Sequence, residues 1–523
     1  MKPKTQEPAS RAFIAASLAA LLGALAGTAQ AQLAISGRPV PELAQLDQIM
    51  TSFMNDSGRT ISAGVLGVSR GGRVVFLRAY GILRPGVDLP ETALFRQASV
   101  VKPITAAAIH RFSQTGGLGV NQLQRPAFNL SGNGGVLNVT LPPSTPLGDG
   151  RCAQITVGQL LNHSAGWDRN SQPKTSPWFR DFPITQVRAA GIQMNQPDAL
   201  PTRPQLMGWA LQFRLDYSPG APAYTQPVPN GSAPGTLPIT MTPGPGATYS
   251  NFGYLVLGEI LEAQAPGGYL GYLGDQIMTA ANWIPSTEWG PARTLQADLN
   301  AREPDYVNGD SGLSVFDYAA PIDELPLQYG GYHLETMLAH GGLIASSQAM
   351  LRFGNLYSVS YQTQGAGATQ SNNMGLPLSA ANPMPTGAHT GSLPGTSTIL
   401  QQIGGGAGTD DDVVIHIAFN ERSGDGVDWA AQASAQVTTF LNSLAANAWP
   451  TATCDGFWTT VGAENPSAGF GGFHSNYQGF GSALSRVTDG SYLRLRSGSQ
   501  AWTGTIKQQL RLDAPEGPVT LGQ

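Results

Sequence analysis

The chain has 523 residues, of which 41% are hydrophobic and only 12% charged, a composition that supports a large buried core and excludes a disordered protein. The formal net charge is −5 at pH 7, and without the positively charged first 31 residues it becomes about −7. This acidic balance argues against nucleic acids and anionic membranes as partners.

The first 31 residues predict a signal peptide. They begin with the basic residues Lys2, Lys4 and Arg11, continue with small apolar residues over 12–27, and end in an A-x-A cleavage site at 29–31. A transmembrane anchor is the alternative, but the apolar run is short and rich in Ala and Gly. We therefore expect a periplasmic or secreted protein that keeps no stable membrane anchor after cleavage.

The next segments predict a hairpin and two helices. Residues 61–81 contain two β-branched runs separated by a glycine pair, which favours a β-hairpin. Helical patterns follow at 99–113 and 253–264. Between the helices, residues 168–248 are rich in Pro, Gln, Ser and Gly and lack periodicity. We interpret this segment as a large irregular insertion.

The later part of the main body predicts more strands. Residues 396–401 and 412–419 flank a polar, Gly-rich stretch and predict a second hairpin, and an amphipathic helix is expected over 428–448, before Pro450. Because strands come from both ends with helices between them, we predict an α/β (α+β) fold. Its antiparallel sheet is built from both chain ends, is flanked by helices and holds an inserted, mainly helical lobe.

This organisation predicts a main body over residues 32–450 and a C-terminal extension over 451–523. The extension is rich in Gly and aromatic residues and carries no readable chemistry. The two cysteines, Cys152 and Cys454, would meet an oxidising compartment after export. They could form a disulfide that ties the extension to the body, and two unpaired thiols remain the alternative.

Lys102 is the first residue whose type calls for a chemical explanation. Arginine is the common cation of this chain, which has only five lysines among its 29 basic residues, yet Lys102 lies in an apolar run three residues after Ser99. On a helical turn the two side chains share a face, and a desolvated lysine can act as the base that a serine nucleophile needs. Arginine cannot lose its proton. The Ser99 N–H, at a helix start, would be free to bind an oxyanion.

The S-x-x-K pattern alone is weak evidence. Ser99 could simply cap the helix while Lys102 extends its ammonium group toward solvent. A second match, Ser171 to Lys174, lies in the Pro-rich insertion without an apolar helix after it, and we discard it.

Three motifs in order strengthen the interpretation. With supporting segments at 160–167 and 341–353, the chain resembles, over roughly residues 45–448, the serine penicillin-binding proteins and class C β-lactamase relatives. That group includes D,D-carboxypeptidases, D-stereospecific aminopeptidases and esterases, and it implies a β-lactamase/transpeptidase-like fold. The motifs are Ser99-Val100-Val101-Lys102, Tyr249-Ser250-Asn251 and His389-Thr390-Gly391.

The second motif would supply a proton carrier. Tyr249 is expected near Lys102, where a neighbouring cation lowers the pKa of a phenol, and Asn251 can hold Lys102 and a substrate amide. Tyr306 begins another Y-x-N match but lies in a polar stretch with no helix after it. His163, in the segment LLNHSAGW, is interpreted as a structural residue rather than a metal ligand.

The third motif would bind the substrate. Gly391 lets an extended substrate approach the strand, while His389 and Thr390 can bind a carboxylate or polarise the site. The resemblance implies that Ser392 donates its backbone N–H to the oxyanion. His340 also begins an H-x-G match, but it belongs to the GGLIASS segment. No metal or organic cofactor is expected, because no metal-ligand spacing is present.

These residues predict an exported serine hydrolase that forms an acyl-enzyme, most simply on D-amino-acid peptides or similar small amides. An H-T-G sequence is similar to Streptomyces-type D,D-peptidases, whereas many class C β-lactamases have K-T-G. An esterase or class C-like β-lactamase is the alternative within enzymes. A penicillin- or cell-wall-binding protein that is acylated without turnover is the alternative of another class. The sequence does not indicate the oligomeric state.

Overall fold

The computed structural model describes most of the chain from residue 33 to residue 522. The predicted signal peptide and most of the predicted insertion lie outside the described residues. The segments not described after residue 32 are 57, 60, 120–121, 131, 143–145, 169–189, 192–199, 217, 220–248, 279–283, 308, 317–323, 361–373, 380, 406–410, 425–426, 452, 455–456, 464, 466–475, 488–490, 497, 515–517 and 523.

The described strands are short except at the two hairpins. In chain order they are β1 (Ile35–Ser36), β2 (Ala63–Arg70), β3 (Arg73–Arg84), β4 (Val87–Asp88), β5 (Leu94–Arg96), β6 (Phe128–Asn129), β7 (Leu137–Asn138), β8 (Trp289–Pro291), β9 (Ser311–Leu313), β10 (Glu324–Pro326), β11 (Leu343–Ser346), β12 (Gly387–Leu393), β13 (Thr396–Ile403), β14 (Val413–Phe419), β15 (Phe457–Thr460), β16 (Tyr477–Gln478), β17 (Tyr492–Leu495), β18 (Gly498–Gln500), β19 (Arg511–Asp513) and β20 (Val519–Leu521).

The described α-helices lie mostly between the two groups of long strands. They are α1 (Ala44–Met54), α2 (Val101–Gln114), α3 (Val157–Leu161), α4 (Arg203–Ala210), α5 (Asn251–Gln264), α6 (Gly268–Gln276), α7 (Ser347–Gly354), α8 (Trp429–Ser443) and α9 (Phe480–Leu484). Within the described parts of the chain, no helix is long and apolar enough to span a bilayer.

The main sheet joins the two ends of the body, as predicted. Its strand order is β1-β3-β2-β14-β13-β12, with β4 added to β3, and all of its pairs are antiparallel. Strand β14 pairs with β2 along the whole length of β14, so the N-terminal hairpin meets the C-terminal one at the centre of the sheet. The α+β fold with a helical lobe between the two hairpins is confirmed.

The two predicted hairpins are confirmed. The first turns at Gly71 and Gly72, which have φ angles of 56° and 74°, a backbone conformation that favours glycine and matches the twist of paired strands. The second consists of β13 and β14. Its turn residues 406–410 are outside the described part of the chain.

Helix boundaries differ modestly from the predictions. The first predicted helix begins with a 3₁₀ turn, Ala98–Val100, that continues directly into α2. The last was predicted too long, since α8 ends at Ser443 and a separate 3₁₀ turn, Ala446–Ala448, follows it. The sequence analysis also missed α4, which begins with a Thr202 capping box inside the segment interpreted as irregular.

The two faces of the main sheet bury different side chains. One face packs against α1 and α8 through residues such as Ile399, Ile415 and Ile417. The other face packs against α7 and joins the core of the helical lobe, to which Leu400 and Val414 contribute. This alternation along each strand is the expected consequence of the two-residue repeat of a sheet. The candidate site lies beside the second face, where β12 and β13 meet the start of α2.

The C-terminal extension forms small parallel sheets, β16-β15-β17-β19 and β18-β20, around its own apolar cluster. It is tied to the body where the Cys454 N–H donates to the Val74 carbonyl over 2.7 Å. Cys152 and Cys454 are both thiols rather than a disulfide, so the pairing considered from the sequence is not present in the structure. Burial raises the pKa of the Cys152 thiol to about 12.

Candidate active site

Ser99 is presented on a tight turn between a strand and a helix. Strand β5 pairs with β11, and the chain then enters the 3₁₀ turn that contains Ser99. Ala98, directly before Ser99, is fully buried and has a φ of 46°. Left-handed backbone is unfavourable for alanine and persists only where neighbouring groups fix it. The turn is therefore held in one conformation by its surroundings.

Lys102 is fully buried and contacts the first two motifs at once. Its Nζ lies 3.0 Å from Ser99 Oγ, 2.8 Å from Asn251 Oδ1 and 3.0 Å from the His340 carbonyl oxygen. The alternative that this lysine extends toward solvent is wrong, because no part of its side chain is exposed.

The chemistry of these three partners orients the lysine. The Asn251 Oδ1 and the His340 carbonyl can only accept hydrogen bonds, whereas the Ser99 hydroxyl can also donate one. A neutral amine has two N–H bonds and one lone pair. If the two N–H bonds point at the two obligate acceptors, the lone pair faces the Ser99 hydroxyl. This arrangement can remove a proton from Ser99 without a rotation of the lysine.

The second motif lies at the start of α5. Ser250 caps this helix by accepting the Gly253 N–H over 2.9 Å, which fixes Asn251 as its first residue. The aromatic ring of Tyr249 is half-buried, and its centroid is 4.7 Å from Lys102 Nζ. The structure thus brings Ser99, Lys102, Tyr249 and Asn251 together.

His163 contacts two residues of the second motif, Ser250 and Tyr249. Its Nδ1 accepts the Ser250 N–H over 3.0 Å, and its ring packs at 4.7 Å from the Tyr249 ring with an interplanar angle of 33°. The residue has a φ of 54°, which is unusual for histidine. These contacts agree with its interpretation as a structural residue. They also help to fix the position of the Tyr249 ring relative to the start of α5.

The third motif lies on β12, which is the edge strand of the main sheet. Thr390 and Ser392 point outward and are exposed, whereas His389 and Gly391 point inward and are buried. A Cβ atom on Gly391 would lie 2.6 Å from the Gln97 carbonyl and 3.0 Å from the Ala98 Cβ. Because a side chain does not fit there, the strand approaches the Ser99 turn backbone to backbone.

His389 and His340 are neutral at pH 7. Burial and, after it, the nearby Lys102 lower the pKa of His389 from 6.5 to about 3. Burial, followed by Lys102 and Arg203, holds the pKa of His340 well below its usual value. His389 Nδ1 lies 3.0 Å from the Thr390 carbonyl and, in the neutral ring, donates to it. His389 Nε2 can therefore accept a hydrogen bond from a ligand, but the ring supplies neither a second donor nor a positive charge.

The competing Y-x-N match, which begins at Tyr306, has a structural role instead. Tyr306 is fully buried, donates to Glu303 over 2.9 Å and accepts the Arg96 N–H, so it supports the strand that leads to Ser99. Ser171 and Lys174 are outside the described residues. Among the residues that the structure describes, no group of three or more His, Cys, Asp or Glu side chains could hold a metal ion.

A family model described as Beta-lactamase matches residues 46–437, which is most of the chain. The chain belongs to the β-lactamase family. Members of this family are serine hydrolases, so the general class of the protein follows from its membership. The match includes the three motifs and all strands of the main sheet except β1, and it ends within α8, before the C-terminal extension.

Three solved structures are similar to about three quarters of the chain. A D-stereospecific amidohydrolase from Streptomyces sp. is 16% identical and covers 75% of this chain and 97% of its own, with a TM-score of 0.43. A β-lactamase/D-alanine carboxypeptidase from Yersinia pestis is 16% identical. The alignment covers 77% of this chain and 99% of that protein, with a TM-score of 0.45. A D-amino acid amidase from Ochrobactrum anthropi SV3 is 15% identical. The alignment covers 76% of this chain and 100% of that protein, with a TM-score of 0.44.

Proposed function

We propose that this protein is an exported serine hydrolase whose Ser99 forms an acyl-enzyme with small amides, in particular D-amino-acid peptides. The observation that carries the proposal is the position of Lys102, which is fully buried, within 3.0 Å of Ser99 Oγ and held by two obligate acceptors. Export rests on the signal-peptide pattern of residues 1–31.

In the acylation step the Ser99 oxygen attacks the substrate carbonyl carbon and its proton passes to Lys102. The tetrahedral intermediate then collapses, the bond to the leaving amine or alcohol breaks, and the proton reaches the leaving group through Tyr249. Water attacks the resulting ester in the second half of the reaction. Its proton returns to Ser99, and the product leaves as a carboxylic acid.

The oxyanion is bound by two backbone N–H groups in this proposal, those of Ser99 and Ser392. Support comes from the close approach of β12 to the Ser99 turn at Gly391. Two donors that are already fixed in place need no reorganisation when the oxyanion forms.

The substrate preference rests on the second and third motifs. Y-S-N and H-T-G occur together here as in D,D-peptidases, which the sequence resembles at these positions. Among the described strands, none pairs with the outer edge of β12, so this edge can take an extended peptide, and Asn251 can contact its amide. A neutral His389 can orient such a substrate by accepting a hydrogen bond at Nε2. Esters and β-lactams are the competing acyl donors.

The test is intact-mass detection of covalent adducts with a fluorophosphonate and with benzylpenicillin. We expect one adduct on the wild-type protein and none on Ser99→Ala. The matched control is Ser171→Ala, which removes the serine of the discarded S-x-x-K match and should be labelled like the wild type. Equal labelling of Ser99→Ala and the wild type would show that the nucleophile is wrong.

Turnover then separates the substrate classes. A D-alanyl peptide, a p-nitrophenyl ester and nitrocefin should each be assayed at equal enzyme concentration. Peptide release that is faster than nitrocefin hydrolysis supports the peptidase proposal. A penicillin adduct that persists with no product from any substrate would instead favour the non-turnover binding protein.

Gly391→Ala is expected to slow fluorophosphonate labelling of Ser99 by about 10²-fold, because the new Cβ would push β12 away from the turn. That Cβ would meet Thr398 Oγ1 at 2.5 Å and the Gln97 carbonyl at 2.6 Å. The rate of labelling at a saturating concentration of the reagent is the quantity to measure.

Gly290→Ala is the control for this substitution. Gly290 also lies on a strand, but a Cβ there meets nothing within 4 Å. Its labelling rate should equal that of the wild type. If Gly391→Ala also labels at the wild-type rate, close contact between β12 and the turn is not needed for the reaction.

A further inference from the structure

Several buried polar side chains, Thr398 and His416 among them, interrupt the apolar face of the main sheet that lies behind Ser99. Thr398 on β13 and His416 on β14 are both fully buried, and both lie on the face that also carries Leu400 and Val414. A buried polar group is costly unless a hydrogen bond satisfies it. Each of these two side chains is hydrogen-bonded to the same residue, Gln97.

Thr398 bonds the carbonyl group that closes the Ser99 turn. The Gln97 carbonyl accepts the Val100 N–H over 3.1 Å, which makes the 3₁₀ turn, and it also accepts the Thr398 hydroxyl over 2.9 Å. The same hydroxyl oxygen is 3.5 Å from the carbonyl of Gly391, the residue opposite Thr398 in the sheet. One side chain therefore contacts both backbones that face the oxyanion position.

The rest of Gln97 is also fixed. Its backbone N–H donates to the Leu343 carbonyl over 2.8 Å, and its side-chain amide donates to the Phe95 and Ala345 carbonyls over 2.9 and 3.2 Å. The remaining oxygen, Oε1, accepts from His416 Nε2 over 3.0 Å. Every polar group of Gln97 is thus used, directly before the strained Ala98.

His416 suits this role because it stays neutral. Burial lowers its pKa from 6.5 to about 3, so at neutral pH the ring carries a single N–H. Since the Gln97 amide nitrogen already donates to two carbonyls, its oxygen is the acceptor and the proton lies on His416 Nε2.

We infer that Thr398 is a positioning residue for the hydrolase reaction. Gln97 and His416 fix the position of the Ser99 turn relative to Thr398. The Thr398 hydroxyl sets the distance between the Ser99 turn and β12, and with it the spacing of the two N–H groups assigned to the oxyanion. This inference rests on the proposed function, because it concerns the rate at which Ser99 is acylated.

The variant Thr398→Val removes the hydroxyl while keeping the size and β-branched shape of the side chain. We expect the limiting rate constant of fluorophosphonate labelling to fall about 10- to 100-fold while the half-saturating concentration stays unchanged. Thr398→Ser, which restores the hydroxyl, should recover most of the rate. His416→Leu is a second variant, expected to lower the same rate constant through Gln97.

Thr396→Val is the matched control. Thr396 is also fully buried on β13, two residues earlier on the same face, but its hydroxyl makes no hydrogen bond with the described part of the chain. The labelling rate should therefore not change. Melting temperatures of all variants separate loss of rate from loss of fold.

The positioning role is wrong if Thr398→Val lowers the melting temperature but labels at the wild-type rate, or if Thr398→Ser is as slow as Thr398→Val. These outcomes leave Ser99 labelling of the wild type intact. Failure of the proposed function itself would appear differently, as undiminished labelling of Ser99→Ala.

Discussion

Lys102→Met is expected to reduce the limiting rate of Ser99 acylation by about 10³-fold or more, because the variant removes the proton acceptor. Methionine has a similar length and fits an apolar, buried site. It leaves Asn251 Oδ1 and the His340 carbonyl without the Lys102 hydrogen bonds of 2.8 and 3.0 Å. The measurement is the time course of fluorophosphonate adduct formation by mass spectrometry.

Lys102→Arg distinguishes a base from a cation. Arginine keeps a positive charge but does not accept a proton at neutral pH, so this variant should be as slow as Lys102→Met. Lys507→Met removes an exposed lysine of the C-terminal extension and should react like the wild type. If Lys102→Arg retains most of the wild-type rate, the lysine acts through its charge and the assignment of the base is wrong.

The protein is expected to lose several kcal/mol of unfolding free energy between pH 7.5 and pH 5. Burial lowers the pKa of His416 and of His389 to about 3, and it holds that of His340 well below 6.5. In the unfolded chain each imidazole has a pKa near 6.5, so only the unfolded state takes up these protons as the pH falls through 6.5. Each such histidine contributes a loss of roughly 2 kcal/mol at pH 5.

Urea unfolding at pH 7.5, 6 and 5 measures this dependence. His416→Gln removes one titrating imidazole while keeping a side chain that can donate a hydrogen bond to Gln97. As the pH decreases, its unfolding free energy should therefore fall less steeply than that of the wild type. The difference in slope should correspond to the uptake of about one proton fewer on unfolding. If both proteins show the same slope over this range, His416 does not remain neutral in the folded state.

The architecture of the main sheet could be predicted because its signals are local. The turn at Gly71 and Gly72 and the β-branched runs beside it identify the first hairpin, and the pattern repeats around the second hairpin. Helix α2 could be predicted from Pro103 near its start and the apolar run after it. The end of α8 was missed because residues 444–448 continue a helical composition while the chain turns to a 3₁₀ segment.

For the candidate site, the sequence by itself determined the residue types and their order. Spacing along one helix places Ser99 and Lys102 on one face, and the three motifs follow in the order that the family shares. Tertiary structure alone decided which groups surround them. Lys102 meets Asn251 and the His340 carbonyl across 149 and 238 residues, and Thr398 meets the Gln97 carbonyl across 301.

The physical reason is that two of these three partners are backbone carbonyls, which every residue has and no sequence pattern marks. In the sequence, a threonine on a buried strand cannot be told from an ordinary β-branched core residue. Only tertiary packing brings its hydroxyl to a carbonyl oxygen that can accept a second hydrogen bond. The sequence therefore determines which reactive side chains are available, and tertiary packing determines which groups hold those side chains in position.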